Sequence, residues 1–144
     1  MNNSAELLEY IYQNVKMGEK AIEELTGNVK DEKFLRHVQA QRREYDSFAA
    51  SAASYLKNFD IMPKEKGMMS KAGLAMGVRM NLMKDDSTSH LAEMMIQGST
   101  MGIVDLTKKM KEMSDAEPAV LDLAQRIVTF EENNIDRLKG FLGE

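Results

Sequence analysis

Apolar residues recur every three or four positions in four separate stretches of this chain. That spacing places them along one face of an α-helix. Alternating apolar and polar runs, which would indicate strands, are nearly absent. Pro63 falls between the second and third stretches, and Pro118 falls near the start of the fourth, where a helix tolerates proline. The sequence therefore predicts an all-α fold.

The periodic stretches set the bounds of four predicted helices. Gly27 is expected to end the first helix, and the oxygens of residues 85–87 can cap the third. A capping box from Ser114 to Glu117 is expected to start the fourth. Short turns join the first helix to the second and the third to the fourth, so each pair should form an antiparallel hairpin. The predicted helices cover about residues 3–26, 31–58, 89–113 and 115–142.

The connection between the two hairpins is long. About 30 residues separate the second helix from the third, whereas a simple up-down-up-down bundle needs only a short loop there. A crossover is therefore favoured, with a short methionine-rich helix over about residues 70–84. All 144 residues fit one domain, residues 1–144, built as an antiparallel four-helix bundle.

Each predicted helix buries one apolar stripe, and each stripe becomes polar near its middle. A buried polar group without a partner costs about 1–3 kcal/mol, so these side chains should bond to one another, to water or to an ion. Alternatively, a slight rotation of the helices would let the carboxylates reach solvent. The predicted inner apolar residues include Leu8, Ile11, Val15, Ile22, Leu25, Phe34, Val38, Tyr45, Phe48, Ala52, Tyr55, Leu91, Met94, Met101, Val104, Val120, Ala124, Ile127, Leu138 and Phe141. The predicted polar layer is Glu19, Gln41, Glu44, Gln97, Glu131 and Asn134.

Two segments that carry this layer resemble the Glu-x-x-His metal motifs of the ferritin-like four-helix bundles. In EENNIDRLKGFL, Glu131 matches the family's Glu, and Asn134 replaces the His. In QRREYDSF, Gln41 and Glu44 stand in place of the companion Glu and His. The resemblance implies a bundle in which these positions face a common centre.

The two remaining helices continue the resemblance. Glu19 matches the single metal ligand of the family's first helix, and Gln97 stands where the third helix would bring its Glu. The chain more closely resembles an uncharacterised bacterial ferritin-like family, which also has a short helix before the third long helix. That family carries a glycine near the middle of its third helix, as at Gly98 here.

The departures from the family decide the functional expectation. A di-metal centre of this type uses four carboxylates and two imidazoles. Only Glu19 and Glu131 stay in register here, with Glu44 as a displaced third carboxylate. The neutral amides of the layer can hold buried carboxylates by hydrogen bonding. We therefore expect no metal and no other cofactor, and a network of amides and carboxylates in their place.

Composition excludes several other functions. The chain has no cysteine, and its 19 Lys and Arg are scattered within a net charge of −4, so neither thiolate chemistry nor nucleic-acid binding is expected. His37 and His90 miss the ligand positions and are predicted to be surface or boundary residues. No nucleotide-binding loop or nucleophile with its base is visible, so catalysis is not expected. Without a leader or a membrane-spanning run, we expect a soluble, cytoplasmic protein.

The 13 methionines are concentrated near the middle of the chain. Methionine fills irregular gaps in cores, which is the favoured interpretation, but it also forms adaptable interfaces. The leading functional hypothesis is a non-catalytic ferritin-like interaction or structural module, which binds a protein partner or forms a homo-oligomer such as a homodimer through the crossover region or an exposed hairpin face. The alternative is a ferritin-like metal-binding protein or oxidase that retains a weakened site at Glu19, Glu44 and Glu131.

Overall fold

A computed structural model of the chain describes residues 3–64 and 85–144. These two ranges contain helices and turns and no strand, which confirms the all-α class. The short helix predicted over residues 70–84 lies outside the described residues. The four helices are α1 (Asn3–Thr26), α2 (Glu32–Lys57), α3 (Thr88–Glu112) and α4 (Pro118–Lys139).

Local capping explains where the first three helices end or begin. Helix α1 ends at Thr26, directly before Gly27, as predicted. Asp31 caps α2, because its Oδ1 accepts the backbone N–H of Phe34 at 2.8 Å. Ser87 caps α3 in the same way, accepting the backbone N–H of His90 at 3.2 Å. These contacts satisfy amides that a helix start leaves without partners.

Helix α4 begins later than predicted. It starts at Pro118 rather than at residue 115, and residues 113–116 form a turn, so the expected capping box is wrong. Proline suits the first helical position because its fixed φ matches the helix and its missing N–H is not needed there. The Oγ atom of Ser4 on α1 accepts the backbone N–H of Glu117 at 2.8 Å. This hydrogen bond ties the residue that precedes α4 to the first turn of α1, and no side chain among the described residues caps α4.

The buried faces agree with prediction on three helices and differ on α3. The predicted stripes of α1, α2 and α4 lie in the core, with Tyr55 and Phe141 half-buried. On α3, however, Met101 is 66% exposed and Val104 is 47% exposed, contrary to prediction. The face that α3 buries is formed by Leu91, Ala92, Met95, Ser99 and Leu106. This face is offset by about one residue, or about 100°, from the predicted one.

The helices pack as two closely associated pairs. Helix α1 packs mainly along α2, and α3 packs mainly along α4. Aromatic rings connect the pairs, since Phe130 of α4 makes edge-to-face contacts with Tyr45 at 5.8 Å and with Phe48 at 5.5 Å. Between α1 and α3 the packing is sparser, and a cleft lies there. No helix within the described ranges is long and apolar enough to cross a membrane.

Candidate functional site

A carboxyl group held by three donors lies at the centre of the bundle. Glu131 of α4 is only 8% exposed. The Tyr45 hydroxyl donates to its Oε2 at 2.7 Å, and the Ser99 hydroxyl donates to its Oε1 at 2.9 Å. The Asn134 amide donates to the same Oε1 at 3.1 Å. Helices α2, α3 and α4 thus meet at one side chain.

The Tyr45 phenol extends the network toward α2. Its oxygen accepts a hydrogen bond from Gln41 Nε2 at 3.0 Å while its own proton goes to Glu131. Burial raises the pKa of Tyr45 well above its usual range, and the neighbouring Glu131 carboxylate raises it further. Burial also raises the pKa of Glu131, because the three donors only partly offset the loss of solvent around its charge.

Gly18 of α1 provides the space that Tyr45 occupies. A Cβ atom at this position would lie 2.9 Å from a carbon of the Tyr45 ring, closer than real Cβ contacts allow. Phe130 packs against the same ring, and hydrogen bonds to Gln41 and Glu131 hold its hydroxyl group in place. A glycine at position 18 is therefore required for the phenol to reach Glu131.

Glu19 is also buried, but it lies apart from the hydrogen-bond network around Glu131. It is 7% exposed, and its Oε1 pairs with Lys16 Nζ at 2.9 Å. Its side chain lines a small groove between α1 and α2, together with Gln39, Arg42, Arg43 and Asp46. The six predicted positions therefore do not form one common layer.

The other predicted positions divide into two groups. Gln41, Glu131 and Asn134 are buried and joined through the network at Tyr45 and Glu131. Glu44 and Gln97 are exposed, contrary to their predicted place in the layer. On α2 the polar atom at this depth comes instead from Tyr45, the residue after Glu44, and on α3 it comes from Ser99, two residues after Gln97.

A cleft between α1 and α3 opens onto this network. Its volume is about 480 Å³, and its walls are mostly apolar side chains of the two helices. Two glycines of α3 line it. A Cβ atom at Gly98 would meet nothing within 4 Å, and one at Gly102 would lie 3.7 Å from Glu131 Oε2. The floor of the cleft is formed by Gln41, Tyr45, Ser99 and Glu131.

The charged residues that line the cleft are both acidic. They are Glu131 at the floor and Asp105 on α3. Tyr10 lies on the α1 wall of the cleft. Burial raises its pKa to about 12, and the negative charges of Asp105 and Glu112 add to the shift. No Lys, Arg or His is present among the described lining residues.

Gln41 Oε1 is buried at the floor of the cleft without a hydrogen-bond partner. His37 Nε2, one turn earlier on α2, is also buried without a partner but does not line the cleft. Burial lowers the pKa of His37, and the adjacent Gln41 side chain partly opposes this. His37 is half-buried, as predicted for a boundary residue, and so is His90.

The donor set does not fit the di-metal centre that the ferritin-like resemblance implies. Of the six matching positions, two are exposed, two are neutral amides, and Glu19 lies in a separate groove from Glu131. Among residues 3–64 and 85–144, no three His, Cys, Asp or Glu side chains cluster in a way that could hold a metal ion. What the arrangement can do is present one hydrogen-bonded carboxyl to the end of an apolar cleft.

Comparison with family models, curated proteins and solved structures gives no match to this chain.

Proposed function

We propose that this chain is a non-catalytic ferritin-like bundle that acts by binding, as an interaction or structural module. In this proposal a hydrogen-bonded carboxyl takes the place of the family's di-metal centre. The antiparallel connectivity and the crossover helix are part of the same proposal. The observation that carries it is that both oxygens of Glu131 already accept hydrogen bonds, from Tyr45, Ser99 and Asn134.

A glutamate binds a metal as the ionised carboxylate, through lone pairs that are free of other partners. Glu131 has three of its roughly four acceptor positions occupied, and burial favours its neutral form. Hydrogen bonds contribute about 0.5–1.5 kcal/mol each, and about 1.5–3 kcal/mol each where the acceptor is ionised. A divalent cation at Glu131 would have to displace several of them with few other charged ligands nearby. This balance supports binding without metal.

Metal content tests the proposal directly. The protein is expressed in medium supplemented with iron or manganese, purified without chelator, and assayed for bound metal. We expect far less than one metal per chain and the same melting temperature with or without Fe(II), Mn(II) or Co(II). Stoichiometric metal would contradict the proposal and would support the alternative of a ferritin-like metal-binding protein or oxidase.

Two matched variants locate any metal that does bind. Glu131→Gln removes the central carboxylate, whereas Glu132→Gln removes a charge from the exposed neighbouring position. Metal that is lost in the first variant and kept in the second would lie at the bundle centre. Metal lost equally in both would reflect surface charge.

Assembly with a protein partner or with a second copy is also part of the proposal. The exposed α3 side chains Met101 and Val104 support it, because large apolar groups on a surface are enriched at interfaces. Sedimentation equilibrium over a wide concentration range tests self-association. We expect a dimer that Met101→Glu weakens and Met62→Glu, at an exposed methionine outside the helices, does not.

A further inference from the structure

We propose that the cleft between α1 and α3 binds a small amphipathic cation, with an apolar body along the cleft and one ammonium group at the Glu131 carboxyl. The inference rests on the proposed function in one respect, since Glu131 must be free of metal. The occupant is defined by three properties of the cleft: its size, its walls and the charge at its floor.

The size and the walls fit a small apolar body. The volume of about 480 Å³ lies within the range of about 300–1,000 Å³ typical of small-molecule sites. Ile11 and Val15 of α1 face Met95 and Leu106 of α3 across the cleft. Methionine adapts to irregular shapes, so walls of this kind can close around a flexible chain.

The charge at the floor of the cleft determines which head group the ligand should carry. Glu131 and Asp105 are the charged groups among the described lining residues. An anionic ligand would bring a second negative charge beside a carboxyl that has already lost most of its solvent. A cation would compensate that carboxyl and stabilise its ionised form. The cleft therefore favours a positive head group over a neutral one, and a neutral one over a negative one.

The floor also has acceptors left for an ammonium group, which brings three donors. Glu131 keeps roughly one acceptor position beyond its three hydrogen bonds. Gln41 Oε1 is buried at the floor without a hydrogen-bond partner. Glu131 is the main acceptor because it is the group that can carry a negative charge, and Gln41 is an auxiliary one.

Calorimetric titration of the full chain with three probes of equal length tests the charge preference. The probes are n-octylammonium, n-octanol and n-octanoate, at neutral pH and below their aggregation limits. We expect octylammonium to bind at least about tenfold more tightly than octanol, with octanoate the weakest. Glu131→Gln should remove this preference by weakening octylammonium far more than octanol. Glu132→Gln, which changes the net charge equally at an exposed position, should keep the preference.

A second variant tests whether the probes occupy the cleft. Gly98→Leu places a side chain in space where a Cβ meets nothing within 4 Å, so it should fill the cleft without a clash. We expect it to abolish binding of all three probes while the melting temperature is retained or raised. Gly98→Ala, which gives a similar gain in helix propensity with little added volume, should bind as the wild type does.

The outcomes separate this inference from the proposed function. Equal binding of octanol and octylammonium, or no binding by either probe to metal-free protein, would overturn the inference. Octylammonium binding that survives Gly98→Leu would place the site elsewhere and overturn it as well. If purified protein carries stoichiometric metal that Glu131→Gln removes, the proposed function has failed at Glu131, whatever the probes do.

Discussion

Helix α1 packs closely against α2 but is separated from α3 by a cleft, and a glycine lies at each of these two boundaries. Against α2, Gly18 lies so close to Tyr45 that an added Cβ would be 2.9 Å from the ring. Across the cleft, Gly98 of α3 has nothing within 4 Å of the corresponding position. The first glycine allows contact, whereas the second leaves space.

The difference shows that glycine in a helix has no single structural meaning. Replacing alanine by glycine inside a helix costs about 1 kcal/mol. At Gly18 the packing of Tyr45 offsets that cost. At Gly98 and Gly102 the described residues supply no equivalent contact, and the volume that remains adjoins a buried carboxyl. An open volume beside a buried polar group is typical of a binding site, whereas a protein core is closely packed.

The largest loss of stability is expected when a larger side chain replaces Gly18, where α1 packs closely against α2. Gly18→Leu forces the Tyr45 ring away from Glu131 and should destabilise the fold by about 3 kcal/mol, a typical cost of overpacking. Gly98→Leu is the matched control, since it adds the same atoms on the open side. Chemical denaturation of both variants measures the difference. Similar losses in the two variants would mean that the two sides do not differ in packing.

Removal of the phenol oxygen should have the next largest effect. Tyr45→Phe keeps the ring against Gly18 but leaves Glu131 Oε2 and the Gln41 amide each without a partner. We expect a loss of about 2 kcal/mol, since unsatisfied buried polar groups cost about 1–3 kcal/mol. Tyr55→Phe, on the half-buried edge of the same helix, is the control and should cost little. An unchanged urea midpoint in Tyr45→Phe would show that the network does not stabilise the fold.

A pH-dependent difference should follow from Glu131. Because burial raises its pKa above the ordinary value of 4.5, its contribution to stability is complete below that value and decreases as pH rises through the folded pKa. Glu131→Gln lacks this titration, so its stability relative to wild type should increase from acidic to neutral pH and then level off. Urea midpoints across this range test the sign. A difference that stays constant, or that falls with pH, would contradict it.

The smallest effect is expected on the open side. Gly102→Ala adds a Cβ at 3.7 Å from Glu131 Oε2, an ordinary contact distance. The substitution should stabilise the protein by up to about 1 kcal/mol through helix propensity. Thermal unfolding beside Gly18→Ala, where the same methyl group meets the Tyr45 ring, gives the comparison. Destabilisation by Gly102→Ala would show that the cleft is narrower there than the structure describes.

The sequence predicted the inner faces of α1, α2 and α4 because large apolar residues mark them clearly. It failed on α3, which carries apolar residues on more than one face. Met101 and Val104 have strong hydrophobic character but are exposed, whereas Ala92 and Ser99 are small and buried. Small residues interrupt the buried stripe of α3 and weaken its periodic signal, so the sequence predicts a rotation of this helix that is wrong by about one position.

The candidate site was predictable in part. Gln41, Glu131 and Asn134 were placed inward because they interrupt strong apolar stripes. The apolar pattern includes Tyr45 and gives no sign of its hydroxyl's role, although a buried tyrosine generally needs a hydrogen-bond partner and Gln41 lies one turn away. The role of Ser99 could not be found from its own helix, because it depends on the rotation of α3 against Glu131.

The hydrogen bond from the Glu117 backbone to Ser4 joins residues 113 positions apart. Bringing such distant parts of a chain together carries a large loop-closure entropy, so contacts of this separation form only after much of the intervening chain is compact. The contact between Ser4 and the residue that precedes α4 should therefore form late in folding, after the helix pairs have packed. Ser4→Ala should accordingly speed unfolding more than it slows folding, which stopped-flow kinetics can measure.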